Sequence, residues 1–116
     1  MVEILKLTLL YDFYGELLTE KQKQVFEMHY QNDLSLSEIG EELSISRQAV
    51  RDQLKRTEKI LIEYEEKLKL VERFQEQQSA VRKMKSILDK IGMGEISEET
   101  TEAISAMKQI ADGILS

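Results

Sequence analysis

The chain has 116 residues, of which 41% are apolar and 33% charged, with a formal net charge of −6. Cysteine and proline are absent, which excludes disulfides and thiolate metal sites and removes the strongest helix breaker. No stretch approaches the ~20 consecutive apolar residues of a membrane span. The apolar N-terminus has an early Glu3 and no basic stretch before it, unlike a signal peptide. We therefore expect a small all-helical protein of the cytoplasm.

Two helices are predicted before residue 32. Apolar residues recur every three or four positions from Val2 to Tyr14, the periodicity of a helix with one buried face. Thr19 and Gln22 have the spacing of a capping box, which predicts a second helix over residues 20–31. Each of these helices is expected to contribute one apolar face to the core.

A helix-turn-helix is predicted from Leu34 to Lys59. Ser35 and Glu38 form a second capping box, which opens a short helix, and residues 44–45 make a tight turn. Ser46 is the N-cap of the next helix. The small residues Gly40 and Ala49 would let the two helices of the motif approach closely.

The compact basic segment of the chain coincides with the second helix of this motif. Residues 1–46 have three basic and nine acidic side chains, and residues 60–116 have eight and eleven. Residues 47–59 have five basic and two acidic, a local charge of +3. Such a helix lies in the DNA major groove in many regulators. The predicted DNA-binding residues are Ser46, Arg47, Gln48, Arg51, Lys55 and Arg56.

The chemistry of these side chains suggests two kinds of contact. Arginine binds guanine and glutamine binds adenine in a bidentate way, so the residues nearest the helix start would contact base edges. Lys55 and Arg56 are better placed for phosphates, and the helix N-terminus at Ser46 could receive another. The alternative is a solvated face whose basic groups pair with Asp52, Glu58 and their neighbours.

A heptad pattern continues beyond the motif and predicts a long helix. If residues 47–74 are continuous, this helix is roughly 42 Å long at ~1.5 Å per residue, and Ser79 would cap a further helix. The heptad predicts a homodimer seam; the alternative is a helix packed inside its own chain. The predicted dimer residues are Leu54, Leu61, Tyr64, Leu68 and Val71.

Three regions are expected along the chain. Residues 1–60 would form the helix-turn-helix head, and residues 61–91 a helical extension used for dimerisation. Residues 92–116 would hold a glycine hinge and a last amphipathic helix capped by Ser97. The predicted fold is an all-α helical bundle followed by a long helix and a C-terminal helix.

The segment from Leu18 to Leu61 resembles region 4 of bacterial sigma factors. It is still more similar to the YlxM-type family of small helix-turn-helix proteins, a likeness that covers roughly residues 5–74. Its most specific stretch, SRQAVRDQLKRTEK, starts at Ser46. The resemblance implies DNA reading through Arg47, Gln48 and Arg51, and a regulatory role in the signal recognition particle pathway. Every other sigma region is missing, so the chain should not direct transcription initiation alone.

The residue pattern gives no reason to expect an enzyme, a metal site or a cofactor. His29 is the only histidine, and no second histidine or cysteine can complete a zinc site with it. The leading hypothesis is a dimeric DNA-binding regulator. The alternative is an adaptor that contacts protein or RNA of the signal recognition particle, and a third is a helical scaffold with a vestigial motif.

Overall fold

The computed structural model describes residues 3–116, which form six α-helices and no strand within that range. The predicted all-helical class is confirmed. No helix of the described residues is long and apolar enough to cross a bilayer. The helices are α1 (Ile4–Tyr14), α2 (Glu20–Tyr30), α3 (Leu36–Leu43), α4 (Arg47–Leu68), α5 (Leu70–Gly92) and α6 (Glu98–Leu115), with a 3₁₀ turn at Gly15–Leu17.

Side-chain caps fix where the helices begin. The amide of Gln22 donates to the Thr19 hydroxyl over 3.2 Å, and the amide of Thr19 donates to the Gln22 side chain over 3.0 Å. Ser97 caps α6 by accepting from the amide of Thr100 over 3.1 Å. These predicted caps are confirmed, and the predicted start at Val2 lies outside the described residues.

The chain divides into two compact units, Met1–Val71 and Glu72–Ser116. In the first unit, α4 packs against α1, α2 and α3. One cluster of its core lies between α1 and the later part of α4, and consists of Leu7, Leu10, Tyr14, Leu18, Phe26, Leu61 and Val71. The second lies around the helix-turn-helix and consists of Val25, Met28, Ile39, Val50 and Leu54.

The predicted continuous helix over residues 47–74 is wrong, because the chain breaks at Lys69. That residue has a left-handed backbone with φ 55° and separates α4 from α5. The Tyr14 hydroxyl donates to Glu65 Oε1 over 2.6 Å and accepts from the amide of Leu70 over 3.1 Å. The same Glu65 oxygen accepts from the amide of Val71 over 3.0 Å. Two side chains thus accept from the first two of the free amides with which α5 starts.

The first unit extends to Val71 rather than to residue 60, because Leu61 and Val71 belong to its core. The predicted helix start at Ser79 is also wrong, since α5 continues through this residue to Gly92. In the second unit a short turn at residues 93–94 follows α5, with the amide of Gly94 donating to the carbonyl of Ile91 over 3.3 Å. The chain turns at the place where the sequence predicts a glycine hinge.

Candidate nucleic-acid interface

The turn between α3 and α4 is held by local contacts that the sequence predicts. Ser44 ends α3 in a left-handed conformation with φ 57°. The amide of Ile45 donates to the carbonyl of Gly40 over 2.9 Å, and Ser46 accepts from the amide of Ala49 over 3.0 Å. The start of α4 is therefore fixed by hydrogen bonds on both sides of the turn.

Gly40 allows the turn to lie directly on α3. A Cβ at this residue would be 2.7 Å from the Ile45 carbonyl oxygen and 3.4 Å from the Arg47 amide nitrogen. Real Cβ atoms essentially never approach an oxygen that closely. The predicted close approach at Gly40 is confirmed, and its partner is the backbone of the turn.

The inner face of α4 sets the direction of its outer face. Val50 is fully buried and Leu54 is 5% exposed, both against Ile39 and α2. Since side chains three and four residues apart share a face of a helix, the polar positions between them face solvent. All six predicted DNA-binding residues are exposed: Ser46, Arg47, Gln48, Arg51, Lys55 and Arg56.

The basic residues of this face are not neutralised by the neighbouring acids. Asp52 accepts a hydrogen bond from Gln48 over 3.0 Å, and Glu58 accepts one from the Tyr30 hydroxyl. None of the ion pairs formed within residues 3–116 involves Arg47, Arg51, Lys55 or Arg56. Four basic side chains on one helix therefore face solvent without an ion-pair partner in the described part of the chain.

A cleft of about 200 Å³ adds residues that the sequence analysis missed. It lies between the start of α2 and the outer part of α4, so that Lys21 and Arg56 both line it. Gln22 and Gln53 contribute amide groups to the same cleft. The capping box at Thr19 predicts where α2 begins, but only the tertiary fold shows that this end lies beside α4.

An acidic groove of about 640 Å³ lies elsewhere on the same unit. Its carboxylates belong to α1, the 3₁₀ turn and α2, and its lining includes Asp12, Glu16, Glu20 and Glu27. Lys23 forms ion pairs there, at 3.4 Å with Glu16 and 3.7 Å with Glu20. Burial and a hydrogen bond to Glu27 raise the pKa of the adjoining Tyr11 above its ordinary value of 10.0. The acidic charge of residues 1–46 is thus concentrated partly in a defined groove.

The predicted dimer seam is largely buried inside its own chain. Leu54, Leu61 and Val71 are at most 5% exposed within the first unit, and Tyr64 is partly buried and stacked on Tyr14 with ring centres 5.8 Å apart. Leu68 alone of the five is exposed. Within this chain, helices of the same unit cover most of the heptad stripe, as the alternative interpretation of the pattern expects.

His29 has a structural contact rather than a ligand. Its Nδ1 lies 2.9 Å from the carbonyl oxygen of Leu34, which can only accept, so this nitrogen carries the proton. The bond connects α2 to the loop before α3. Within the described part of the chain, no group of three or more His, Cys, Asp or Glu residues could hold a metal ion.

Comparison with known proteins agrees with this geometry. The family model UPF0122, described as "Putative helix-turn-helix protein, YlxM / p13 like", matches residues 1–104. UPF0122 proteins of Bacillus cereus (strain AH187), Bacillus anthracis (strain A0248) and Bacillus thuringiensis subsp. konkukian (strain 97-27) are similar to the chain. Each is 44% identical over 105 residues, which cover 90% of this chain and 94% of the relative. The resemblance found in the sequence is confirmed, and the chain belongs to the UPF0122 family of YlxM/p13-like helix-turn-helix proteins.

Proposed function

We propose that this chain is a non-enzymatic, DNA-binding regulatory protein of the cytoplasm, and that the start of α4 enters the major groove. The observation that carries the proposal is the basic outer face of α4, which is exposed and forms no ion pair with any carboxylate of residues 3–116. The opposite face of the helix is fixed in the core by Val50 and Leu54. Since the turn and the cap already order the helix start, binding would cost little backbone entropy.

The residues divide by position into base and phosphate contacts. Arg47, Gln48 and Arg51 occupy the first turns of α4, the part of a recognition helix that contacts bases. A good bidentate contact contributes roughly 1–3 kcal/mol of discrimination between bases. Further along, Lys55 and the cleft between Lys21 and Arg56 would hold phosphates and supply affinity rather than sequence preference.

A binding titration tests this proposal. Fluorescence anisotropy would follow a pool of random-sequence duplex DNA as the full chain is added, over a series of salt concentrations. We expect binding that weakens steeply with salt, and a strong loss in Lys55→Ala/Arg56→Ala, because phosphate contacts supply the affinity for random sequences. The matched control is Lys6→Ala/Lys67→Ala, which removes the same charge from exposed residues outside the face. Equal losses in both variants, or no binding at ~50 mM salt, would reject DNA recognition.

A second candidate function is that of an adaptor in the signal recognition particle system. The acidic groove beside Tyr11 and the net charge of −6 favour a basic protein partner over a nucleic acid. In the adaptor function, Asp12 and Glu16 would contact the basic partner, and the outer face of α4 would bind RNA or protein. Adding the particle's RNA and its protein as separate titrants distinguishes the two functions. Glu16→Lys would weaken only the adaptor interaction.

A homodimer remains part of the DNA-binding proposal. A two-fold dimer would present two copies of α4 to half-sites about 34 Å apart, or a multiple of that distance. Because Leu54, Leu61 and Val71 are buried in the first unit, the dimer contact must lie on another surface.

A further inference from the structure

The second unit is an antiparallel pair of helices with a very small core. Lys85 forms an ion pair with Asp112 at 2.6 Å, and Asp89 forms one with Lys108 at 2.7 Å. As the residue number rises along α5 it falls along α6, so the two helices run in opposite directions. Three apolar residues of this hairpin are buried: Val81, Ile104 and Ala111. A segment of this size rarely buries enough surface to be stable without a partner.

One face of the hairpin is an apolar groove of about 340 Å³. Both helices line it, and its base is formed by the buried Val81 and Ala111, whereas the other large side chains around it are far more exposed. Ile110 is 66% exposed, Ile87 56% and Met84 54%. The exposed apolar side chains that line the groove are Met84, Ile87, Met107, Ile110 and Ile114, and Ile91 lies one turn after Ile87 on the same side of α5.

The area of this face matches what a dimer requires. Judged from their exposed fractions, the six residues together present roughly 600 Å² of apolar surface, the upper end of the largest patch on a typical monomer. Two such faces in contact would bury at most about 1,200 Å² from these residues, the lower end of the range for stable interfaces. Two helices from each copy would give a four-helix bundle, in which all four apolar stripes face one core.

The charges of α5 and α6 are complementary, and they favour one arrangement of the two copies over the other. Residues 79–92 of α5 have four basic side chains and one acidic, a charge of +3, whereas α6 has one basic and four acidic, a charge of −3. Lys83 and Lys90 lie four residues before and three after Ile87, so they border the apolar stripe. A two-fold axis parallel to the helices places α5 of one copy on α6 of the other. The perpendicular axis would place α5 on α5 and bring like charges together.

We propose that the groove between α5 and α6 binds the same groove of a second copy of this chain, with α5 of each copy against α6 of the other. The contact is separate from the α4 face, so it holds whether or not the chain binds DNA. It also replaces the heptad seam, which the first unit buries, as the surface through which the chain forms a homodimer.

Sedimentation equilibrium of the full chain is the first test. At about 100 µM, well above a micromolar Kd, we expect a dimer. Ile87→Lys/Ile110→Lys should raise the dimer Kd by about a hundredfold or more, because two lysines would be buried without partners. Both residues lie outside the first unit, so the thermal transition followed by tyrosine fluorescence, which reports only on that unit because all four tyrosines precede residue 72, should not change. The matched control Leu5→Lys/Leu17→Lys, at exposed apolar residues of the first unit, should remain dimeric.

Charge reversal tests the arrangement of the helices. Lys83→Glu/Lys90→Glu makes both helices acidic, and Glu99→Lys/Glu102→Lys makes both basic. Each variant alone should dimerise more weakly than the wild type, and mixing the two should restore a heterodimer. A monomeric wild type, a dimer unaffected by the groove substitutions, or a mixture that does not associate would each overturn the proposal.

Discussion

Replacing Gly40 by alanine should destabilise the first unit, although alanine is the better helix former. In an open helix this substitution would stabilise by about 1 kcal/mol. Here the new Cβ would lie 2.7 Å from the Ile45 carbonyl oxygen, a backbone atom that cannot rotate away. Overpacking of this kind costs about 3 kcal/mol at the upper end, so we expect a net loss of about 2 kcal/mol. For a unit of this size the Tm should fall by roughly 10 °C.

Tyrosine fluorescence during thermal unfolding measures this effect in the correct unit, because all four tyrosines precede residue 72. The control is Gly113→Ala in α6, where an added Cβ would have nothing within 4 Å. That variant should leave the tyrosine transition unchanged and raise the stability of the second unit by up to ~1 kcal/mol. If Gly40→Ala leaves the tyrosine transition in place or raises it, the close packing of the turn on α3 is not a constraint on the fold.

Three further predictions concern the contacts that hold the first unit. Tyr14→Phe should lower the free energy of unfolding, measured by chemical denaturation, by about 2 kcal/mol, because Glu65 and the first amide of α5 both lose a buried partner. An unchanged denaturation midpoint would contradict the capping role of Tyr14. Lys69→Gly should instead raise the free energy of unfolding by about 0.5 kcal/mol, because glycine adopts the left-handed backbone without strain. A lower denaturation midpoint would contradict this prediction. Burial is the largest cause that raises the pKa of Tyr30 above 10.0, and the hydrogen bond to Glu58 is the next. The contribution of the protonated Tyr30 to stability is therefore complete below pH 10. It is lost as the pH rises through the higher pKa of the folded state. Unfolding midpoints from pH 8 to 12 should therefore fall above about pH 10, and the fall should be smaller in Tyr30→Phe.

The helix starts could be predicted from the sequence because their causes are local. At Thr19, Ser35 and Ser46 the hydrogen bonds join residues three apart. Residue type and spacing determine such a cap. The turn at Ser44 and the need for a small residue at Gly40 also have local causes, because the whole helix-turn-helix lies within residues 34–59.

The break at Lys69 could not be predicted because its cause is distant in sequence. Tyr14 lies 51 residues from the carboxylate it contacts, and lysine carries no signal for a left-handed backbone. The heptad pattern has a related ambiguity. It predicts that Leu54, Leu61 and Val71 share an apolar stripe, but the pattern is the same whether helices of the same chain or of a second chain cover these residues.

One part of the candidate interface can likewise be predicted from local sequence, and another part depends on tertiary packing. The outward direction of Arg47 and Arg51 follows from helical periodicity once Val50 and Leu54 are assigned to the core. The position of Lys21 does not, because this residue lines the same cleft as Arg56 only through the packing of α2 on α4. A charge tally also treats Lys21 as one of three basic residues in an acidic segment, which hides it.

The salt dependence of DNA binding tests the proposed DNA contact and the proposed dimer together. If Lys21, Lys55 and Arg56 each contact a phosphate, one chain would give a slope of log K against log salt of about −3, and a dimer bound through both copies about −5. The groove variant Ile87→Lys/Ile110→Lys leaves all these residues unchanged, so it should reduce the slope towards the single-chain value while DNA binding persists. Arg56→Ala in the dimer should instead lower the slope by roughly two, one phosphate from each copy. A groove variant that binds DNA with the slope of the wild type would mean that one copy of α4 engages DNA at a time, even if the chain dimerises.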